Sequence, residues 1–140
     1  MSNIIKISEA ASMALHAMTL LAENPDTLFS TRDVASTLKV SEAHLSKVLQ
    51  RLAKAGLVKS VRGPKGGFVL GRDRNRITLL EVYEAIEGPL VECNCLMDNR
   101  VCSGTCILGG FIEKVNKEAH GYLTGTKLSD LNNVYRRGDL

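Results

Sequence analysis

The chain has 140 residues, 44% of them hydrophobic, and a net charge of +3 at neutral pH. That apolar share suffices for one domain with a real core plus an appendage, without covalent staples. No apolar run approaches the roughly 20 residues that cross a bilayer, and no charged segment followed by an apolar one opens the sequence, so a soluble cytoplasmic protein with no membrane partner is expected.

The first predicted element covers residues 8–24, SEAASMALHAMTLLAEN, which is rich in Ala, Leu and Met and apolar on most sides. It ends at Asn24-Pro25, where proline disfavours helix continuation, and it reads as a buried scaffold helix. STRD at 30–33 has the form of an N-terminal capping box, opening a helix of about two turns that turns Val34, Ala35 and Leu38 inward. After the link Lys39-Val40, Ser41 is a good N-cap for a third helix whose Leu45, Val48, Leu49 and Leu52 fall at i, i+3, i+4 and i+7; Gly56 supplies its stop.

Two helices joined by a tight turn form a helix-turn-helix candidate. The opposite face of the second helix carries Ala43, Lys47, Gln50 and Lys54, with His44 and Arg51 on its flank. Small and polar residues in the first turn and cations beyond them suit a helix that offers its N-terminal end to base edges while its bases hold phosphates. Ser41, Ala43, His44, Ser46, Lys47, Gln50 and Arg51 are its candidate DNA-binding residues. An ordinary amphipathic surface helix would show the same pattern, so the next segment decides.

Residues 57–61 and 68–70 are short strand-like runs, and RGPKGG at 62–67 is a glycine-proline turn with two cations. Together they predict a β-hairpin wing in which Gly63 and Gly66 allow close backbone approach to a phosphate while Arg62 and Lys65 supply charge. No Gly-Lys-Ser/Thr ending opens a helix here, so this is not a nucleotide-binding loop. Charge distribution points the same way. Residues 39–76 hold ten Lys/Arg against two acids, a net of +8, while the rest of the chain holds eight bases and thirteen acids, a net of −5. Such a basic block, coinciding with a helix-turn-helix and a wing, fits a polyanion-binding surface.

TLLE at 78–81 is a second capping box, opening a short helix that stops at Gly88-Pro89. Next come Cys93, Cys95, Cys102 and Cys106, all four cysteines of the chain within fourteen positions. In a reducing compartment such a cluster favours metal binding or redox activity over a permanent disulfide framework. Thiolates suit iron-sulfur clusters and zinc, although the spacing matches neither a ferredoxin run nor a paired zinc ribbon. A thiol–disulfide switch and simple packing remain open. Beyond the loop, Leu108, Phe111, Ile112, Val115, Ala119, Tyr122 and Leu123 recur at helical spacing for about four turns. No Ser/His/Asp or metal-hydrolase constellation appears, so the sequence gives no support for catalysis.

The run LSKVLQRLAKAGLVKSVRGPKGGFVLGRDRNRITLLEVYEAIEG closely resembles the Rrf-type family of bacterial winged-helix repressors, which includes iron-sulfur and nitric oxide sensors. The likeness extends to KISEAASMALHAM at the start, the cysteine loop, and YLTGTKLSDL near the end; Lys65 stands where many relatives have glycine and Phe68 where many have tyrosine. It implies a mainly α fold with a small β-hairpin, a winged helix-turn-helix with a long C-terminal dimerisation helix. The corresponding divisions are a DNA-binding domain at 1–90, a cysteine-rich sensor loop at 91–107, and a dimerisation helix with tail at 108–140. It further implies a homodimer on double-stranded DNA with a palindromic operator, no small-molecule substrate, and a 2Fe-2S or 4Fe-4S cluster on Cys95, Cys102 and Cys106. The family's fourth ligand does not carry over: Cys106 is followed by Ile-Leu-Gly-Gly with no histidine close behind it, and Ser12 stands at the helix position where relatives place an acidic ligand. Cys93, Glu9 or a small molecule are the candidates for that place. The same DNA-binding dimer without a cluster, regulated by thiol oxidation or by a protein partner, and a small iron-sulfur redox protein, are the competing readings.

Overall fold

The computed structural model describes residues 5–91, 95–97 and 99–135. Helix α1 (Glu9–Glu23) is capped by Ser8, whose hydroxyl oxygen accepts from the Ala11 N–H at 3.1 Å, and it is closed by Asn24, whose side chain donates to the Leu20 carbonyl at 3.0 Å. Ala14, Ala17, Met18, Leu20 and Leu21 are sealed from solvent, so α1 is the central helix its composition predicts. Its buried Thr19 hydroxyl is satisfied by donating to the Leu15 carbonyl at 2.7 Å.

Helix α2 (Thr31–Leu38) starts with the predicted reciprocal cap: the Asp33 N–H donates to Ser30 Oγ, and the Ser30 N–H donates to the Asp33 carboxylate, both at 3.1 Å. These bonds from Ser30 hold the Asp33 carboxyl below its ordinary pKa. The helix ends at Lys39, in the left-handed region at φ 56, and the Val40 N–H turns back to the Ala35 carbonyl at 3.0 Å. Helix α3 (Glu42–Lys54) follows at once, its Ser41 cap accepting from the His44 N–H at 3.4 Å. Leu45, Val48, Leu49 and Leu52 are buried against α1, α2 and the next helix.

Strands β1 (Val58–Val61) and β2 (Gly67–Leu70) pair antiparallel, with Val58 opposite Leu70 and Val61 opposite Gly67. A third short pairing is added by Phe29, which exchanges backbone hydrogen bonds with Phe68 at 3.3 and 2.7 Å. This approach is why residue 67 is glycine: a Cβ there would lie 2.4 Å from the Phe29 carbonyl oxygen.

After a single 3-10 turn (Arg74–Arg76), helix α4 (Leu79–Glu87) opens on the second capping box, Thr78 with Glu81, and packs along α1. Arg72 pairs with the Glu81 carboxylate at 3.0 Å. Burial pushes the Glu81 carboxyl up, but hydrogen bonds from the Thr78 backbone and Arg72 outweigh it and leave the pKa lowered.

Helix α5 (Phe111–Gly125) leans on α4 without sealing any of its residues. It begins later than the apolar stripe suggests. Gly109 is left-handed at φ 56, so Leu108 stays in the preceding turn, its carbonyl accepting from the Phe111 N–H at 3.0 Å. The chain then returns to the first half: Thr78 and Lys127 form a bridge, Leu128 donates to the Ile77 carbonyl at 3.0 Å, and the Leu128 side chain is buried in the main core. The N–H groups of Val134 and Tyr135 donate to the Glu23 carboxylate at 2.6 and 3.2 Å, and the Tyr135 hydroxyl donates to the His16 carbonyl at 2.8 Å. Burial, with the Glu23 charge beside it, pushes the Tyr135 phenol up to about 12. No helix among the described residues is long and apolar enough to cross a membrane.

Candidate nucleic-acid interface and cysteine loop

Helix α3 keeps its apolar stripe inside because that stripe meets α1, α2 and α4, and so its other face is necessarily outward. Ser41, Ala43, His44, Lys47, Gln50 and Lys54 are exposed there. Ser46 is half-buried and sits beside Gln50, whose amide lies 3.5 Å from its hydroxyl. The structure therefore gathers the predicted reading face on one helix.

Arg51 is placed differently from its neighbours. Its guanidinium donates to the carbonyl of Ile86, in the last turn of α4, where the helix end carries partial negative charge. It fastens α3 to α4 with part of its fork. Two further cations of the basic block also have structural partners: Arg72 on Glu81, and Arg74 reaching the Ala22 carbonyl at 3.5 Å near the end of α1. Sequence gives no sign of these roles, since the partners meet only in the fold. Lys39, Lys47, Lys54, Lys59, Arg62, Lys65 and Arg76 remain as exposed cations, Lys47 and Lys54 on α3 and Arg62 and Lys65 at the wing.

The wing tip spans the gap from β1 to β2. The Gly66 N–H donates to the Gly63 carbonyl at 2.9 Å and closes the turn, with Gly63 at φ 123. A Cβ on residue 66 would stand 2.3 Å from the Val61 carbonyl oxygen and 2.8 Å from that of Gly63, so only glycine closes this turn undistorted. The result is a short closed tip that offers Arg62 and Lys65 to solvent.

The segment between α4 and α5 has no regular secondary structure among its described residues. Cys95 and Cys106 are half-buried and Cys102 is exposed; Cys93 lies outside the described residues. The Met97 N–H approaches Cys95 Sγ at 3.4 Å. In kind, three sulfur donors on one irregular segment fit an iron-sulfur group, because no helix or strand holds them apart. In place they are not gathered: among the described residues no three His, Cys, Asp or Glu side chains converge to hold a metal. Of the other fourth-ligand candidates, Glu9 lies in the first turn of α1 and lines an open cavity against α3. Ser12, at the position where relatives place an acidic ligand, has its hydroxyl 3.4 Å from His16 Nδ1.

A helix-turn-helix followed directly by a basic two-stranded wing is the architecture of a winged-helix transcriptional regulator. Comparison with known proteins sharpens this. Residues 7–133 match the model of the Rrf2 family, described as an iron-dependent transcriptional regulator, and the chain belongs to that family. It is 31% identical over 131 residues to an HTH-type transcriptional regulator of Aquifex aeolicus, covering 91% of each chain. It is 29% identical over 132 residues to the HTH-type transcriptional regulator IscR of Klebsiella pneumoniae, covering 92% of this chain and 80% of IscR. The structure of CymR (YrzC), the global cysteine regulator of Bacillus subtilis, matches with a TM-score of 0.76 at 30% identity, over 91% of this chain and 95% of CymR. These relatives are transcriptional regulators, not enzymes.

Proposed function

We propose that this regulator binds a palindromic double-stranded DNA operator as a homodimer and acts as a repressor. The first turns of α3 enter the major groove, with Ser41, Ala43, His44, Ser46, Lys47 and Gln50 toward bases and nearby phosphates. The wing reaches adjacent backbone through Arg62, Lys65 and the bare peptide groups of Gly63 and Gly66. Arg51 contributes mainly by fixing the tilt of α3 on α4. The observation that carries this reading is the exposed polar and cationic face of α3 continuing into a wing tip that admits no side chain at Gly66. Dimerisation is assigned to α5, whose apolar residues are left incompletely covered by the described residues.

The 91–107 segment is the proposed sensor. Cys95, Cys102 and Cys106 would hold an iron-sulfur cluster, with Cys93 or a small molecule completing it, since Glu9 faces the α1–α3 cavity. Such a group, when bound, supplies redox and ligand-exchange chemistry. The chain's own part is mechanical: the segment joins α4, to which α3 is fastened by Arg51, to the dimerisation helix. A change in its conformation would alter the separation of the two recognition helices against a fixed half-site spacing. A second reading, reversible thiol oxidation without a cluster, is favoured by the exposure of Cys102 and by the ungathered arrangement of the three thiols.

Protein purified without oxygen should absorb in the visible and contain iron and sulfide; colourless, iron-free protein that forms a disulfide on oxidation would select the second reading. For DNA, duplexes selected from a random pool should bind with an affinity that falls steeply with salt. Arg62→Ala and Lys65→Ala should each weaken binding and flatten the salt slope by about 0.9 for each phosphate no longer neutralised. A salt-independent affinity, or one indifferent to both substitutions, would overturn the role of the wing.

A further inference from the structure

Between the first turns of α1 and the outer side of α3 lies an open cavity of about 410 Å³, within the size range of small-ligand sites. Its floor is apolar. Met13 and Val48 are core residues, 5% and 4% exposed, and Ala10 beside them is half-buried. Its rim is charged with both signs: Lys47 and Arg51, one turn apart on α3, line one side, and Glu9 of α1 lines the other. Arg51 is anchored on the Ile86 carbonyl, which fixes a cation at the rim while leaving other N–H groups of its fork available. Glu9 pairs with neither cation; the ion pairs among the described residues are Arg72 with Glu81 and Lys117 with Glu113. Opposite charges thus face one apolar hollow without neutralising each other.

We propose that this cavity binds a small zwitterion with an apolar body, of the chemical class of free apolar α-amino acids. The carboxylate lies toward Lys47 and Arg51, the ammonium toward Glu9, and the side chain over Ala10, Met13 and Val48. A simple organic anion would meet the Glu9 charge unmatched, and a neutral hydrocarbon would leave all three charges unused. Because Lys47 also belongs to the proposed reading face, it cannot serve the ligand and DNA together, and occupancy would oppose operator binding. That consequence rests on the DNA-binding reading; the ligand site itself does not.

The test uses the full chain, isotopically labelled, titrated with L-leucine and with 4-methylpentanoate and 3-methylbutylamine, which keep the hydrocarbon body but lack the ammonium or the carboxylate. Leucine should give saturable amide shifts at Ala10, Met13 and Val48, and each truncated analogue should bind about fivefold or more weakly, the factor expected for losing one partly exposed ion pair. Glu9→Gln should narrow the preference for leucine over 4-methylpentanoate, a readout that general destabilisation would not produce. Ala10→Phe, which fills the floor, should abolish the shifts while the circular dichroism spectrum is kept. Absence of saturable shifts at these residues, equal binding of the analogues, or a leucine affinity untouched by Ala10→Phe would overturn the site. In parallel, leucine should lower affinity for a selected duplex; simultaneous binding would overturn the competition. Failure of the ligand-free protein to bind any duplex would instead refute the proposed function and leave the titration to decide the site.

Discussion

Leu45, Leu49 and Leu52 on α3 are sealed from solvent, whereas Ile112, Val115 and Leu123, at the same kind of helical spacing on α5, are only half-buried, with Phe111 and Tyr122 beside them 49% and 62% exposed. The two stripes look alike in the sequence and meet different fates. For α3 the complementary surface comes from α1, α2 and α4 of its own chain. For α5, α4 covers one side, and the described residues leave much of the rest open. Helical periodicity shows that an apolar face needs a partner; it does not show whether that partner lies in the same molecule.

The largest expected effect comes from breaking the closed half. Leu49→Ala removes most of a fully buried side chain, and the helices around it can collapse only partly, so a loss of about 2–5 kcal/mol is expected in urea unfolding. The next comes from the open half and has a different signature. Tyr122→Asp places a charge on the proposed dimer face, where it should cost about 2 kcal/mol or more of association, roughly thirtyfold in dissociation constant, as for an aromatic anchor. Sedimentation should show monomers at concentrations where the native chain is dimeric, while the folded content by circular dichroism stays unchanged. If Tyr122→Asp unfolds the chain as Leu49→Ala does, or leaves the dimer intact, the contrast between the halves fails.

A smaller effect tests how the closed half is pinned locally. Thr78→Ala deletes one half of the α4 capping box and should cost about 1 kcal/mol at neutral pH. The Glu81 carboxyl is depressed in the folded state below its ordinary value of 4.5. Its contribution is therefore fully present above the unfolded pKa and is lost as pH falls through the folded one. The Thr78 hydroxyl is the smallest of the contributions that depress the carboxyl, and the backbone bond from the Thr78 N–H survives the substitution, so the gap in stability between Thr78→Ala and the native chain should shrink only slightly as pH falls from neutral through the carboxylate range. A gap that stays constant across that range would mean that the cap acts without the carboxylate.

Local signals made much of the closed half legible. Ser30 with Asp33, Ser41 and Thr78 with Glu81 each begin a helix, because a cap is written within four adjacent residues. The turn at 62–67 likewise announces the wing. What escaped a sequence reading is what pairs residues across long distances. Phe29 as a third edge for β2, Thr78 bridged to Lys127, the Glu23 carboxylate receiving the backbone of Val134 and Tyr135, and Arg51 bound to Ile86 leave no periodic or compositional trace. Arg51 is the instructive case for the site. Its helical position marks it as a DNA-facing cation, and only the arrival of the α4 terminus 35 residues later gives its guanidinium a structural partner. The α1–α3 cavity is invisible for the same reason, since Glu9 and Lys47 become neighbours only through tertiary packing. The cysteines were legible as a cluster in sequence; their spacing does not fix how the loop arranges them.

The smallest effect compares the two halves at a single backbone conformation. Lys39, in the turn from α2 to α3, and Gly109, before α5, both sit at φ 56. Where α5 begins, with nothing among the described residues within 4 Å of where a Cβ would stand, the sequence uses the residue that adopts this conformation freely. In the helix-turn-helix a lysine is held there between two packed helices, with a Cβ that crowds its own backbone at a cost of about 1 kcal/mol. Lys39→Gly relieves that crowding but also gives the unfolded chain more freedom, which offsets about 0.4–1 kcal/mol of the gain. Lys39→Ala is the proper reference, because it removes the same charge and keeps the Cβ. The glycine variant should be the more stable of the two by a few tenths of a kcal/mol to about 1 kcal/mol in urea unfolding, the net of those two effects. Equal stabilities would mean that the turn stores no strain and that the bond from the Val40 N–H to the Ala35 carbonyl sets its shape at no conformational cost.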